Sequence, residues 1–163
     1  MNGLFKTAAI LSRIAEKLGE LLLLLCGVGM VCDISLQVFF RYVLNDSLFW
    51  SEELGRILLV WLTFFGASVA YKRGAHIGVD VLVSRFSAPV QRILRVFSHL
   101  VCLCFFAVIL FYGTQFLGFL KFQSTTTLGI SKQLPFLTVP VSAAFLLLHG
   151  LYFLLRDLRG KQA

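Results

Sequence analysis

Four long stretches of the chain contain almost no charged residues, and they constrain its fold more than any other feature. An α-helix needs about 20 predominantly apolar residues to cross the hydrocarbon core of a bilayer. The chain is 58% hydrophobic and 14% charged over 163 residues, whereas a soluble domain is about one quarter charged. An integral membrane protein is therefore indicated. The four stretches are residues 21–40, 57–71, 96–120 and 133–155.

We expect a single all-α membrane domain of four transmembrane helices, the second of which begins before its uncharged stretch. Ser51 is a good N-cap residue, and Glu52 and Glu53 then fall in the first turn, where the helix dipole favours anions. Residues 4–18 have amphipathic helical spacing, typical either of a helix lying at the inner interface or of a continuation of the first span. Residues 76–87 predict a second interfacial segment. The expected spans are 21–40, 52–71, 96–120 and 134–155.

The distribution of lysine and arginine predicts that both termini are cytoplasmic, because cytoplasmic loops of membrane proteins carry an excess of these residues. Eleven of them lie on the side of the two termini, and four lie on the other side. The net charge of +7 follows from this bias, so it does not indicate a nucleic-acid partner.

Polar residues inside the first span are the sharpest anomaly. Asp33 lies well within the apolar stretch, with Gln37 one turn further on and Arg41 one turn beyond that. An intramembrane carboxylate is costly and is a functional candidate by default. Asp33 is either a proton- or substrate-binding carboxylate of a small exporter, or a hydrogen-bonding group between helices or subunits.

Two histidines, His99 and His149, fall near the cytoplasmic ends of the third and fourth spans. Such a pair is able to hold a b-type haem, which would make the chain a membrane anchor of a redox enzyme. Capping and packing roles near the interface are the alternative. The sequence contains no nucleotide-binding loop, catalytic triad motif or metal-site spacing, so neither an enzyme activity nor a cofactor or metal ion is expected.

Two neighbouring blocks of sequence resemble a known family. The first is RYVLNDSLFWSEELGR at 41–56, and the second is GASVAYKRGAHIGVDVLV from residue 66. They are similar to the small membrane subunit of tripartite ATP-independent periplasmic (TRAP) transporters, the DctQ-type family. The shared residues are Arg41, Tyr42, Trp50, Glu52, Glu53, Arg56, Gly66, Lys72, Arg73, His76, Ile77, Val79 and Asp80. A weaker family pattern resembles TLGIS at 127–131, where this chain has Ser131 in place of the usual proline.

The resemblance implies a multi-pass protein of the bacterial inner membrane that acts as a scaffold subunit. Its partners would be a large multi-span membrane subunit and a periplasmic substrate-binding protein, with the lipid bilayer around it. Transport in such systems is driven by a sodium gradient and takes up organic acids such as C4-dicarboxylates or sialic acids. The charged and aromatic block at the outer interface then becomes a contact surface for these partners. The partner-interface candidates are Arg41, Trp50, Glu52, Glu53, Arg56, His76 and Asp80.

Overall fold

The computed structural model describes residues 2–74 and 87–158, and within them the fold is all-α. In these two ranges, four helices are long and apolar enough to cross a membrane, which confirms the expected fold class. A short 3₁₀ turn, Leu120–Phe122, ends the third helix, and a helical turn, Gln133–Phe136, precedes the fourth. The four helices are α1 (Asn2–Tyr42), α2 (Phe49–Lys72), α3 (Ala88–Phe119) and α4 (Thr138–Leu158).

Helix α2 begins three residues before its expected start. Leu48 occupies the N-cap position in an extended conformation, with no side-chain cap, so the expectation that Ser51 caps the helix is wrong. The Ser51 hydroxyl is instead used in a bond to another helix, described below. In the turn before α2, Asn45 adopts a left-handed conformation with φ 53, which asparagine tolerates better than most residues.

Helix α4 lies at the centre of the molecule. It packs against α1, α2 and α3, whereas α3 packs mainly against α4. Aromatic rings join these helices at several depths, including Phe65 with Phe145 and Tyr71 with Phe153. In the first turn of α4, Pro140 has no N–H to donate to the carbonyl of Phe136, and the helical path is interrupted at Leu137, between the turn Gln133–Phe136 and α4.

Helix α1 is one uninterrupted helix of 41 residues. At 1.5 Å per residue it is about 61 Å long, roughly twice the thickness of the hydrocarbon core. The segment 4–18 continues the first span without a break. A stripe of small or polar residues is buried along almost the whole length of α1, at Ala8, Ser12, Ala15, Cys26 and Asp33.

Glycine 19 lies on the same stripe and allows α1 to approach α2 closely. A Cβ atom at Gly19 would lie 3.0 Å from a methyl group of Val69. Small residues at such positions permit the close backbone approach that drives helix association in membranes.

Candidate functional site

The intramembrane carboxylate Asp33 is bonded to the neighbouring helix. The Ser51 hydroxyl donates to Asp33 Oδ1 at 2.8 Å, and both side chains are buried. The backbone of Gly55 lies close by, since a Cβ atom there would be 3.3 Å from Asp33 Oδ2. Of the two alternatives for Asp33, this geometry fits the hydrogen bond between helices. We name the Asp33–Ser51 bond the outer contact.

A second set of bonds joins the same two helices at their other ends. Lys72 Nζ donates to Ser12 Oγ at 2.7 Å, and Ser12 Oγ lies 2.8 Å from His149 Nδ1. Since the serine accepts from lysine, its hydroxyl proton is free to point at the imidazole. We name these bonds the inner contact, which links α1, α2 and α4 at one level.

The two contacts fix the register of α1 against α2. They are twenty-one residues apart on α1 and also on α2, as expected for antiparallel neighbours. Twenty-one helical residues span about 31 Å, so the two helices are bonded to each other at two well separated levels.

The other members of the polar series on α1 do not join Asp33. Gln37 is half-buried and Arg41 is exposed. The Arg41 guanidinium lies 5.9 Å from the centre of the Tyr42 ring, on its own helix. Of the three residues, only Asp33 is bonded to α2 in the described part of the chain.

Glu53 bonds to the connection between α3 and α4. Its Oε2 atom accepts the backbone N–H groups of Thr127 and Leu128, at 3.0 Å and 2.8 Å. The sequence suggested a subunit contact for Glu53, and the structure gives it two partners within its own chain.

The two sides of the connection that Glu53 contacts are also bonded to each other. The N–H of Thr125 donates to Ile130 O at 2.8 Å, and the N–H of Lys132 donates to Gln123 O at 2.9 Å. Gly129 makes the turn possible with φ +65, a conformation that other residues rarely adopt. Residues 123–132, which we name the outer loop, are thus an ordered element.

Four other residues of the predicted surface are exposed, and two of them, Glu52 and Arg56, line a pocket beside this loop. Glu52 and Arg56 lie 3.9 Å apart with 67% and 77% of their side chains exposed, so their pairing contributes little to stability. Trp50 is 38% exposed, and Arg41 is also on the surface. An open pocket of about 460 Å³ separates α2 from the outer loop, and it is lined by residues that include Glu52, Arg56, Thr126, Lys132 and Phe136.

Two further candidates, His76 and Asp80, lie outside the described residues. The expected interfacial segment 76–87 also lies outside the described residues, except for its last residue, Ser87.

The two histidines considered as haem ligands have other contacts. His99 lies 3.3 Å from Asp157 and stacks on the Phe153 ring at 5.9 Å. His149 has 0% of its surface exposed, so packed side chains already fill the space that a porphyrin would need. In the described ranges, no group of three or more His, Cys, Asp or Glu side chains is placed to hold a metal ion.

Ser12 and Lys72 form the inner contact, yet sequence reasoning assigned neither of them an interhelical bond. Lys72 was noted only as part of the basic turn, and Ser12 was not singled out. One signal was present in the sequence: Ser12 falls between Ala8 and Ala15 at spacings of four and three, which marks the small-residue face of α1.

Residues 30–160 match the family described as tripartite ATP-independent periplasmic transporters, DctQ component. The C4-dicarboxylate TRAP transporter small permease protein of Pseudomonas aeruginosa is 32% identical over 73% of this chain, and the match covers 59% of that protein. The sialic acid TRAP transporter small permease protein of Vibrio cholerae is 25% identical over 87% of this chain and 82% of its own length. The sialic acid TRAP transporter permease protein of Haemophilus influenzae is 26% identical over 68% of this chain, which covers only 18% of that protein.

Proposed function

Because this chain belongs to the DctQ-component family of tripartite ATP-independent periplasmic transporters and is a small permease subunit of the bacterial inner membrane, we propose that it is the scaffold for a separate large subunit. The large subunit carries the substrate path and the coupling ion. The small subunit holds it in place and does no chemistry of its own.

The observation that carries this proposal is the match to a much longer permease. The chain corresponds to 18% of the Haemophilus influenzae permease protein, so in that relative a far larger part accompanies the segment that resembles this chain. In the small permease proteins of Pseudomonas aeruginosa and Vibrio cholerae named above, the match covers 59% and 82% of the protein. Both coverages are explained if a separate large subunit accompanies each small permease protein and supplies what the long permease carries in one chain.

The polar contacts within the bundle support a scaffold role. Asp33, Ser51 and Glu53 are used to hold the chain's own elements together, as are Ser12 and Lys72. Interhelical bonds of this kind fix helix positions, whereas a substrate path needs polar groups that face an open cavity. Helix α3 packs mainly on one neighbour and keeps a long apolar face for a partner.

The finer proposal is sodium-coupled uptake of an organic acid that a periplasmic binding protein delivers. The P. aeruginosa and V. cholerae relatives are named for C4-dicarboxylates and for sialic acid, both of which are carboxylic acids. Our candidates for partner contact at the outer end are the outer loop and Arg41, Trp50, Glu52, Glu53 and Arg56. His76 and Asp80 stay predicted contacts on the opposite side.

Co-purification followed by transport tests this proposal. A tagged copy is purified from its native membrane in mild detergent, and we expect a large multi-span subunit to accompany it in a one-to-one ratio. The purified pair, in vesicles with the binding protein, should accumulate a C4-dicarboxylate or sialic acid under an inward sodium gradient. Vesicles with a potassium gradient, and vesicles with the large subunit alone, are the controls.

Accompaniment by a flavoprotein or an iron–sulfur subunit, with a Soret absorption band, would contradict the proposal and make the chain a redox anchor. Full uptake by the large subunit alone would contradict the scaffold role. Uptake that does not depend on the sodium gradient would refute only the proposal that sodium is the coupling ion.

A further inference from the structure

The open pocket between α2 and the outer loop is lined on one side by charged groups from both elements. Helix α2 supplies Glu52, Glu53 and Arg56, and the outer loop supplies Lys132. The pocket volume of about 460 Å³ falls in the range of small-molecule and cofactor sites. We name this cavity the outer pocket.

Apolar residues of the two neighbouring spans also line the outer pocket. Ile57 and Val60 belong to the uncharged stretch of α2, residues 57–71, and they lie on the same face of the helix. Pro135 and Phe136 belong to the uncharged stretch that leads into α4. The outer pocket therefore crosses the boundary between the charged outer end of the bundle and the apolar spans.

Three charged groups of the outer pocket remain available to a ligand. Glu53 is not one of them, because its carboxylate already accepts two N–H groups of the outer loop. Glu52 and Arg56 are largely exposed and lie 3.9 Å apart, so they pair only weakly. Lys132 donates to Gln123 Oε1 at 3.3 Å, and an ammonium group has further donors to offer. One carboxylate and two cations are thus within reach of a ligand.

The charges favour a ligand that is itself a zwitterion. Two carboxylates and two cations line the outer pocket, which therefore has no net charge to attract an organic acid or an anionic lipid. A phosphate group pairs with the cations, and a primary ammonium group pairs with the free carboxylate, through charge-assisted hydrogen bonds. The apolar lining favours a ligand that also carries hydrocarbon. A phospholipid with an ethanolamine headgroup has all three parts.

We propose that the outer pocket binds phosphatidylethanolamine. The Arg56 guanidinium and the Lys132 ammonium group contact its phosphate, and Glu52 accepts from its primary ammonium group. Its acyl chain lies over Val60 and Phe136. Phosphatidylcholine binds less well, because its trimethylated nitrogen has no N–H to donate. The proposal goes beyond the scaffold function and does not depend on it.

The test measures lipid preference by native mass spectrometry. The full chain is purified with whatever subunit accompanies it, and its binding of phosphatidylethanolamine, phosphatidylcholine and phosphatidylglycerol is compared. Phosphatidylethanolamine should bind about threefold more tightly than either of the others, since one exposed charge pair contributes up to about fivefold. Glu52→Gln should remove the preference over phosphatidylcholine. Arg56→Gln should weaken phosphatidylethanolamine binding about threefold.

Two substitutions at the same end of the molecule are matched controls. Lys121 is exposed in the 3₁₀ turn that ends α3 and is not among the residues that line the outer pocket, so Lys121→Gln makes the same change of charge as Arg56→Gln. Asp46 is exposed in the connection between α1 and α2, so Asp46→Asn is the control for Glu52→Gln. Both controls should leave lipid binding at the wild-type value.

Loss of the preference in Glu52→Gln, with normal binding in Asp46→Asn and Lys121→Gln, supports the proposal. Equal affinity of the wild-type protein for phosphatidylethanolamine and phosphatidylcholine overturns it. Equal losses in Arg56→Gln and Lys121→Gln overturn it as well, because they indicate only general surface charge. Competition by soluble phosphoethanolamine as strong as that by the lipid would show the ligand to be a soluble zwitterion instead. A cross-link from Thr126→Cys to another subunit, in a complex that retains no phosphatidylethanolamine, would place a protein in the pocket.

Discussion

At the scale of the residue, the charged side chains of the outer end have two distinct roles. Asp33 and Glu53 are bonded to other elements of their own chain, whereas the adjacent Glu52 is exposed and weakly paired. The difference lies in what each carboxylate reaches, since Glu53 accepts two N–H groups of the outer loop whereas Glu52 lines the open pocket beside that loop. The two adjacent glutamates can therefore be compared directly: Glu53 is bonded within the chain, and Glu52 is available on the surface.

Substitution of Asp33 separates a structural carboxylate from one that carries protons. Asp33→Asn keeps an oxygen that accepts from Ser51, so we expect assembly and transport to be retained. Asp33→Leu leaves a buried hydroxyl without an acceptor, which should cost about 1–2 kcal/mol of unfolding free energy. Thermal unfolding in detergent measures the cost. Loss of transport in Asp33→Asn, with assembly intact, would restore the proton-carrying role.

Substitution of Glu53 should loosen the outer loop. In Glu53→Ala the N–H groups of Thr127 and Leu128 lose a charged acceptor, so their hydrogen exchange should become about tenfold faster. Exchange measured by mass spectrometry on peptides that cover the loop gives the readout. Glu52→Ala is the control and should leave exchange unchanged. Unchanged protection in Glu53→Ala would mean that the loop is ordered by its own bonds alone.

At the scale of the element, α1 is defined by its buried stripe of small residues. The stripe lets a helix about 61 Å long lie close to α2 and α4 over most of its length. Hydrophobicity alone does not identify such a face in a membrane protein, because lipid-facing sides are equally apolar. The size of the side chains does identify it.

Enlarging a glycine on this stripe should separate α1 from α2. Gly19→Leu places carbon atoms where Val69 already lies, and overpacking of this kind costs about 1–3 kcal/mol. Gly27→Leu is the matched control on the same helix, because no atom lies within 4 Å of a Cβ there. The melting temperatures of the two purified variants measure the difference in stability, and we expect the lower value for Gly19→Leu. Equal destabilisation would show that loss of glycine, rather than the contact with Val69, is responsible.

At the scale of the whole molecule, polar bonds join α1 to α2 at two levels, and between these levels Trp61 of α2 donates to Pro135 O just before α4. The outer contact joins α1 to α2, and the inner contact adds α4. Helix α3 stands apart, attached mainly through α4. Three helices are thus fixed together, and the fourth offers most of its surface to its surroundings.

The two contacts should contribute independently to stability. Ser12→Ala removes the inner contact and Ser51→Ala removes the outer one. Because the sites are about 31 Å apart, the effects should add to within about 0.5 kcal/mol in the double variant. Unfolding free energies of the two single variants and the double variant measure this. A larger coupling would mean that α1 shifts as a rigid rod when either end is released.

The sequence was sufficient for the fold class, because long uncharged stretches leave a chain few alternatives to membrane helices. It predicted that Asp33 is anomalous, but it could not choose between its roles, since the partner Ser51 was interpreted as a helix cap. The bonds of Glu53 to Thr127 and Leu128 could not be read from the sequence because these residues lie more than seventy positions away, and its contact with another subunit stays a prediction. Ser12 was missed because a serine on a small-residue face has no distinctive local pattern.

The equal separation of the two contacts on α1 and α2 has a consequence for the membrane in which the protein works. Both helices are bonded to each other at two levels about 31 Å apart, so neither is free to slide along the other to change the length of apolar surface that the pair presents. A bilayer with longer acyl chains would draw polar side chains into hydrocarbon, and one with shorter chains would expose apolar side chains to water. Such a pair adapts by tilting as a unit or by deforming the lipid around it, at a cost that grows with each ångström of mismatch. The hydrogen bonds thus make the two helices respond to bilayer thickness as one body.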